Sequence, residues 1–530
     1  MDFFTEIYKK PFTYLFFLLL IAYIAVYMPY GFEDGDMGAI FGISWSMYLG
    51  QFPYRDFVYI KPPFSPYVHS LPLYISEEYA YIFNRIGYYV QVFVYSYLAS
   101  RLLFGAFRIK QKDTVFFIAT VGAIISIHNY PPMPWNTIDG LFFCTIGLTF
   151  LFKAKATWPH LLAAAVFVGM GVLCKQSFFF VPVFVCVYML FNKKWGRLLW
   201  FVAFGGAVAA LFVGILYVNG ALWPFYEQIF SFTPPSSLLN TGVRSYYLAF
   251  KNNWGWAAAA FALFFTARYF LRGNGRYLMQ TAIIAGAFCA LYLGEDSFHT
   301  VKRGIVQVLF VSTAVFSVHR AITANRAWWL VLLLLGLAWC ASISNGFNTP
   351  IDFSTPIAFV LFFMCFKMKP ITLTKPVGLV VVSVFLITFF IGYQTVYQDS
   401  DRSELNYSLS KLFPRLPFVK TDKETFEKYR ELKQLASKYD NFTVLPSATL
   451  AHYLTGTRNP IGVDWVFNHH LTNKLPDYIE KLNKENITVF LENFENHVNK
   501  YEETSALTVY VAQHWKVIEK GDHFRVLQKR

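Results

Sequence analysis

The residues best placed to do chemistry stand in one polar stretch behind the first apolar run. Glu33-Asp34-Gly35-Asp36 is followed by Gly50 and then by Tyr54-Arg55-Asp56-Phe57-Val58-Tyr59-Ile60-Lys61-Pro62-Pro63. Charge this close to lipid is costly and is kept where it serves a purpose. A carboxylate in that position can draw the proton from an attacking hydroxyl, and a fixed ammonium can offset charge growing on a departing phosphate. Asp36 and Asp34 are the candidate catalytic acids and Lys61 the candidate phosphate contact, with two prolines behind it to stiffen its placement. The bland alternative is that Asp36 caps a helix and Asp34 is solvated, since two acids two positions apart are common in loops.

Two further groups of cations follow. Lys175 interrupts a helical hairpin in Gly171-Val-Leu-Cys-Lys-Gln-Ser177. A lysine at a helix end can simply reach for water, but that does not call for the adjacent Gln176 and Ser177. Gly294 to Gly304 is dense in charge between two apolar spans, and within it Arg303 and His299 are the candidate donors to a phosphate. A solvated turn with its own salt bridges is the competing reading. His128-Asn129-Tyr130, Trp135-Asn136, Arg244 and His469-His470 are weaker signals.

These residues need elements to hold them. The chain has 530 residues, 55% of them apolar and 15% charged, against about 25% charged in soluble domains. Apolar blocks near bilayer length recur at 12–30, 82–104, 114–128, 137–152, 159–174, 177–192, 198–218, 254–271, 278–293, 304–319, 328–343, 354–367 and 377–395. The fold expected is therefore an all-α polytopic membrane protein of about thirteen spans. Basic residues fall in alternate loops, among them Arg101/Arg108/Lys110/Lys112, Lys193/Lys194/Arg197 and Arg320/Arg326. That puts these loops and the N-terminus in the cytoplasm, and the C-terminus outside. It also accounts for the net charge of +14 without a nucleic-acid partner. The outward loops include 31–81, a turn near Lys175, 219–252 and 343–353.

Within 31–81, Ile40, Ile43, Met47 and Tyr48 recur at helical spacing, with Asp36 at the N-cap position and Gly50 at C′. A short helix over 36–48 is expected, followed by a rigid extended path through Pro53, Pro62, Pro63, Pro66 and Pro72. Residues 1–395 form the membrane domain and 396–530 a polar α/β domain on the outer face. In the latter, 424–438 reads as a helix, 442–445 and 487–491 as buried strands, and 515–519 with 523–527 as a hairpin. All six cysteines lie in or beside apolar blocks and read as packing residues. There is no HExxH, P-loop, GxSxG, zinc spacing or nucleotide-binding fingerprint. Lacking a nucleotide fold, the chain would receive an activated sugar on a lipid.

An acid about fourteen positions before a glycine, then a PYRDF-like string and Lys-Pro-Pro, resembles the GT-C superfamily of membrane glycosyltransferases. The nearest branches are the bacterial protein O-mannosyltransferase and lipid A aminoarabinose transferase relatives. The matching residues are Asp36, Gly50, Pro53 to Phe57 and Lys61-Pro62-Pro63, and Lys175-Gln176-Ser177 is similar to another recurrent string. The resemblance implies a sugar donor on polyprenyl phosphate, undecaprenyl in a bacterium. It also implies an envelope lipid, glycan or protein acceptor on the periplasmic side of the inner membrane, and inversion at the sugar. Asp36 would be the base and Lys61 the phosphate contact, with Glu33, Tyr54, Asp56, Tyr59 and Gln176 around the substrate. Met37 stands where many relatives have a second acid, so Asp34 or Glu33 must support Asp36. No cofactor is implied, and a divalent metal is left open. A flippase, a polysaccharide polymerase or ligase using a lipid-diphosphate glycan, and a non-catalytic assembly protein are the competing classes.

Overall fold

The structure is a computed structural model that describes residues 10–129, 132–153, 155–230, 235–270, 300–343, 349–366, 376–394, 396–397, 399–466, 471, 474–484, 486–493 and 505–529. It is mostly helical, with a small sheet near the C-terminus. In chain order the first helices are α1 (Pro11–Val26), α2 (Asp36–Tyr48), α3 (Phe64–Ile75), α4 (Ala80–Ala106), α5 (Lys112–Asn129), α6 (Asn136–Leu151) and α7 (Trp158–Val172). A 3₁₀ turn at Gln176–Phe180 leads into α8 (Val181–Phe191), then α9 (Trp195–Val218), α10 (Leu222–Phe230) and α11 (Pro235–Phe270). Beyond them lie α12 (Thr300–Thr323), α13 (Trp328–Ser342), α14 (Thr355–Phe366) and α15 (Pro376–Gly392).

Each apolar block read from the sequence is helical except 278–293, which lies outside the described residues. Among the described residues two helices, Trp195–Val218 and Val306–Thr323, are long and apolar enough to cross a membrane alone. Several others, such as Asn136–Leu151 and Trp328–Ser342, are apolar but shorter. In α9 only 6% of the most apolar stretch is buried, and Leu211, Tyr217 and Val218 are exposed. A continuous apolar face of this size has no stable place in water, and 24 residues rise about 36 Å, enough for a bilayer core.

Two loops differ from expectation. The prolines after Lys61 do not keep the chain extended: Pro66 sits in the first turn of α3, where a backbone N–H has no partner within the helix to lose. Pro72 lies inside α3, and the helix ends soon after it. The stretch 219–252 is largely helical, because Pro235 opens α11 and no further proline follows before Phe270. Its fall in hydropathy marks the edge of an apolar block and not the edge of a helix.

The C-terminal elements match expectation closely. After a small pair, β1 (Tyr407–Ser408) and β2 (Lys420–Thr421), come α16 (Lys423–Lys438), β3 (Phe442–Leu445), α17 (Ala451–Thr455) and α18 (Leu475–Lys484). They are followed by β4 (Thr488–Glu492), α19 (Ala506–His514), β5 (Trp515–Lys520) and β6 (Phe524–Lys529). Asp422 caps α16 by accepting from the Thr425 N–H at 2.8 Å. The sheet order is β3-β4-β6-β5, with β3 parallel to β4 and the other pairs antiparallel. Both β3 and β4 are buried throughout, as strands inside an α/β layer must be.

This region is tied to the loop that follows α1. Gly31 donates to the Lys420 carbonyl at 2.9 Å and Lys420 to the Pro29 carbonyl at 2.8 Å. Arg85 in α4 donates to the carbonyls of Gly31 at 2.6 Å and Tyr30 at 2.7 Å. Gly31 has φ +86°, and a Cβ there would sit 2.3 Å from Val396 Cγ1. Gly50 has φ +83° with open space around it. Gly50→Ala should therefore cost only the left-handed backbone strain, about 1 kcal/mol, whereas Gly31→Ala adds a clash. Thermal unfolding of the two purified variants should rank Gly31→Ala as clearly the less stable.

Candidate active site

Glu33, not Asp36, caps α2. Its carboxylate accepts from the Asp36 N–H at 2.7 Å and also from the Met37 N–H, satisfying two donors that the helix itself leaves open. Burial, with the negative charge of Asp36 adding to it, pushes Glu33 up to about 8. The Asp36 carboxylate is thus released from capping. It accepts from Tyr397 Oη at 3.0 Å. Burial raises its pKa, and Lys61 and the Tyr397 hydroxyl pull it back.

Lys61 is held by its backbone and its neighbours. Tyr54 Oη donates to the Lys61 carbonyl at 2.7 Å, and Gln176 Nε2 to the Ile60 carbonyl at 2.6 Å. Gln228 brackets the loop, donating to the Tyr54 carbonyl at 3.0 Å and accepting from the Tyr59 N–H at 2.9 Å. Asn136, the first residue of α6, donates to Tyr59 Oη at 2.8 Å and to the Cys174 carbonyl at 3.0 Å. Its Oδ1 accepts from Lys61 Nζ at 3.4 Å, and that ammonium lies 3.7 Å from the Trp135 ring centroid. Burial pulls Lys61 down to about 8, and Asp36 opposes the shift. Tyr54, Tyr59 and Gln176 therefore shape the loop that carries the lysine.

Lys175 stands just before the 3₁₀ turn, buried at 7% exposure. Its ammonium donates to Thr137 Oγ1 at 3.0 Å and to the Ala341 carbonyl at 3.4 Å. Burial, and then repulsion from Lys61, pulls it down to about 7, against attraction from Asp352. Among the described residues neither lysine has a carboxylate at contact ion-pair distance; their nearest partners are neutral. Asp352 is itself buried and pushed up to about 8 by that burial. Its backbone carbonyl accepts from Tyr95 Oη at 2.7 Å, while its Oδ1 has no hydrogen-bond partner.

Other residues lie elsewhere. Asp34 is committed to the C-terminal region: it accepts from the Leu450 N–H at 2.9 Å, from Thr449 Oγ1 and from Tyr429 Oη. Burial pushes it up to about 7. Neither its partners nor its charge neighbours include Lys61, so the DxD pair is split between two tasks. Asp56 pairs with Arg55 at 2.8 Å and accepts from the Phe52 N–H at 2.7 Å; it fastens its own turn. Arg303 lies in the first turn of α12, and His299 lies outside the described residues, as does His469-His470. His128 is in the last turn of α5, 2.7 Å from Tyr23 Oη, and Arg244 is exposed on α11. Tyr397, Thr137 and Asp352 carry no signal in the sequence, and Trp135 and Asn136 carry only weak ones. Among the described residues no group of three His, Cys, Asp or Glu side chains is gathered to hold a metal.

No family model matches the chain, and no curated protein matches it in sequence. Among solved structures, ArnT from Cupriavidus metallidurans bound to undecaprenyl phosphate matches at 12% identity over 98% of both chains, with a TM-score of 0.43. The same protein in the apo state matches at 14% identity over 97% of both chains, with a TM-score of 0.45. The archaeal oligosaccharyltransferase AglB from Archaeoglobus fulgidus, in complex with an inhibitory peptide and a dolichol-phosphate, matches at 14% identity and a TM-score of 0.46, over 93% of this chain and 70% of its own.

The division of labour between the acids is testable by stability alone. Asp34→Ala strands the buried Leu450 N–H and Tyr429 hydroxyl and should cost about 2 kcal/mol or more. Asp36→Asn keeps a group able to accept from Tyr397 and should shift the unfolding midpoint by about 0.5 kcal/mol or less. Equal losses in the two variants would show that Asp36 is as structural as Asp34.

Proposed function

We propose that this chain is an integral-membrane glycosyltransferase of the GT-C type. It moves a sugar from a polyprenyl-phosphate donor to a hydroxyl acceptor at the outer membrane face. The observation that carries the reading is the pair of buried ammonium groups, Lys61 and Lys175. Lys61 lies within electrostatic reach of Lys175 and of Asp36, Lys175 within reach of Asp352, and both are held by neutral groups and not by contact carboxylates. Two buried cations that repel each other are stabilised by an anion placed between them. The first-loop resemblance names that anion as the phosphate of a lipid carrier.

The chemistry follows from charge. In the donor the phosphate is a diester with one negative charge. When the bond from sugar to phosphate oxygen breaks, the electron pair leaves with the phosphate, whose charge grows toward two. Lys61 and Lys175 offset that growth. The acceptor hydroxyl attacks the opposite face of the sugar and gives its proton to Asp36, whose raised pKa makes it a better base than a solvated aspartate. The product sugar is inverted, and the protonated acid returns its proton to water. Trp135 and Asn136 orient the Lys61 ammonium. In this proposal Arg303 and His299 add donors from the start of α12 and the segment before it. The chain crosses the membrane about thirteen times, with the N-terminus cytoplasmic and residues 396–530 on the outer face as a separate α/β domain.

Transfer assays with a purified polyprenyl-phosphate sugar test this. Asp36→Asn should lower kcat by about 100-fold or more with the donor still bound. Lys61→Ala and Lys175→Ala should each raise the donor KM by about tenfold or more. Raising the pH through about 8 removes protons from lysines whose pKa is already depressed, so donor affinity should fall on the alkaline side. A bound phosphate favours the charged lysines and moves that loss to higher pH in the complex than in the free enzyme. Full activity in Asp36→Asn, or donor affinity indifferent to both lysines, overturns the reading.

A further inference from the structure

A second feature lies away from these lysines, at the outer end of α1. A cavity of about 630 Å³ opens between that helix end and the C-terminal region. Ile24, Ala25, Met28 and Tyr30 form one wall; Phe418 and Lys420, with Ser408, Ser410 and Pro417, form the other. Neither Lys61 nor Lys175 lines it.

Three observations point to the same occupant. The first is a stripe on α1. Tyr14, Phe17, Leu18, Ile21 and Ala25 are its exposed apolar residues, at helical spacing along one face. That face runs directly into the wall formed by Ile24, Ala25 and Met28, so the cavity continues an exposed apolar surface of the kind a bilayer covers. The second is Phe418. It holds φ +65° while the residue is 63% exposed. A bulky residue in the left-handed region is an outlier, and exposing its ring to water adds a further cost. Both are reasonable for an aromatic that dips into the membrane interface. The third is charge. Lys420 is exposed, with its ammonium 5.0 Å from the Tyr30 ring centroid and no carboxylate paired with it among the described residues. The hydroxyls of Ser408 and Ser410 stand in the same wall, 2.8 Å apart. Apolar below, cationic and hydroxylic above, the cavity matches an amphiphile with a negative head.

We propose that this groove binds one phospholipid of the surrounding bilayer by an anionic headgroup. Its tails lie along the exposed face of α1 and its phosphate lies at Lys420. Such a lipid would brace β2 where it carries the first loop, since the Lys420 backbone is bonded to both Pro29 and Gly31.

The test uses the full chain, purified in detergent and stripped of lipid. Phosphatidylglycerol, phosphatidylcholine, undecaprenyl phosphate or inorganic phosphate is then added. Native mass spectrometry reads retained lipid, and thermal unfolding reads stabilisation. One phosphatidylglycerol should be retained per chain, about fivefold more tightly than phosphatidylcholine, the increment of one lysine at an anionic surface. Lys420→Glu should abolish that preference, and Phe418→Ser should weaken both phospholipids. If Lys420→Glu does not fold, Lys420→Gln carries the same expectation. Equal retention of the two phospholipids overturns the proposal. So does an unchanged preference in the lysine variants, or stabilisation by inorganic phosphate equal to that by phosphatidylglycerol. Displacement of the bound lipid by stoichiometric undecaprenyl phosphate would assign the groove to the donor instead and also overturn it.

Discussion

The constraint on which this structure turns is the cost of keeping like charges buried together. Lys61 and Lys175 are both removed from water, and the charge of Lys61 bears on Lys175. Direct carboxylate pairs would have relieved the strain and filled the space. The chain instead gives each ammonium a neutral acceptor, Asn136 Oδ1 for one and Thr137 Oγ1 for the other. These acceptors are successive residues at the start of α6. One helix terminus therefore sets the separation of two cations supplied by loops more than a hundred residues apart. The acids are kept at one remove: Asp36 and Asp352 moderate the lysines' charge without contact. Buried cations held this way stay charged only within a limited pH range, and they gain from any anion that enters.

The same economy explains the carboxylates of the first loop. Three acids lie within four residues, and each is given a different neighbour. Glu33 turns toward the open N–H groups of α2, Asp34 toward Leu450 and Tyr429, and Asp36 toward Tyr397 and Lys61. If Glu33 did not cap the helix, Asp36 would be the nearest substitute and its carboxylate would be occupied. An unremarkable capping bond is thus what leaves the central acid available.

Much of this was legible from residue types. The helix 36–48 and its terminal glycine follow from apolar spacing and from the need for positive φ at Gly50, and both are found. The helix and strands after residue 420 follow from equally local signals. What failed was reasoning from single residues whose effect depends on position. Prolines suggest an extended chain, yet Pro66 falls in a first turn and helps open a helix. The sequence places Asp36 at the N-cap position, the bland alternative to a catalytic role, while the carboxylate that caps the helix comes from Glu33, three residues earlier. Tyr397 and Asp352 carried no local signal at all. Tyr397 joins the site through a hydrogen bond spanning 361 positions and Asp352 through its charge on Lys175, and sequence spacing records neither. Thirteen apolar blocks were visible, but only two of the described helices are long and apolar enough to cross a bilayer unaided. The shorter ones reveal themselves as helices, and their relation to a membrane depends on what packs around them.

The tie from Asp36 to Tyr397, and from Asp34 to Tyr429, Thr449 and Leu450, has a consequence for how the protein is made. Synthesis runs from the N-terminus, so the acids of the first loop leave the ribosome some 360 residues before Tyr397 and over 400 before Leu450. Throughout that interval they exist without the hydroxyls and the amide that fix them. The nascent chain accordingly carries an unassembled centre while its helices are still being inserted. The centre is completed late, when the last quarter of the polypeptide folds back onto the beginning.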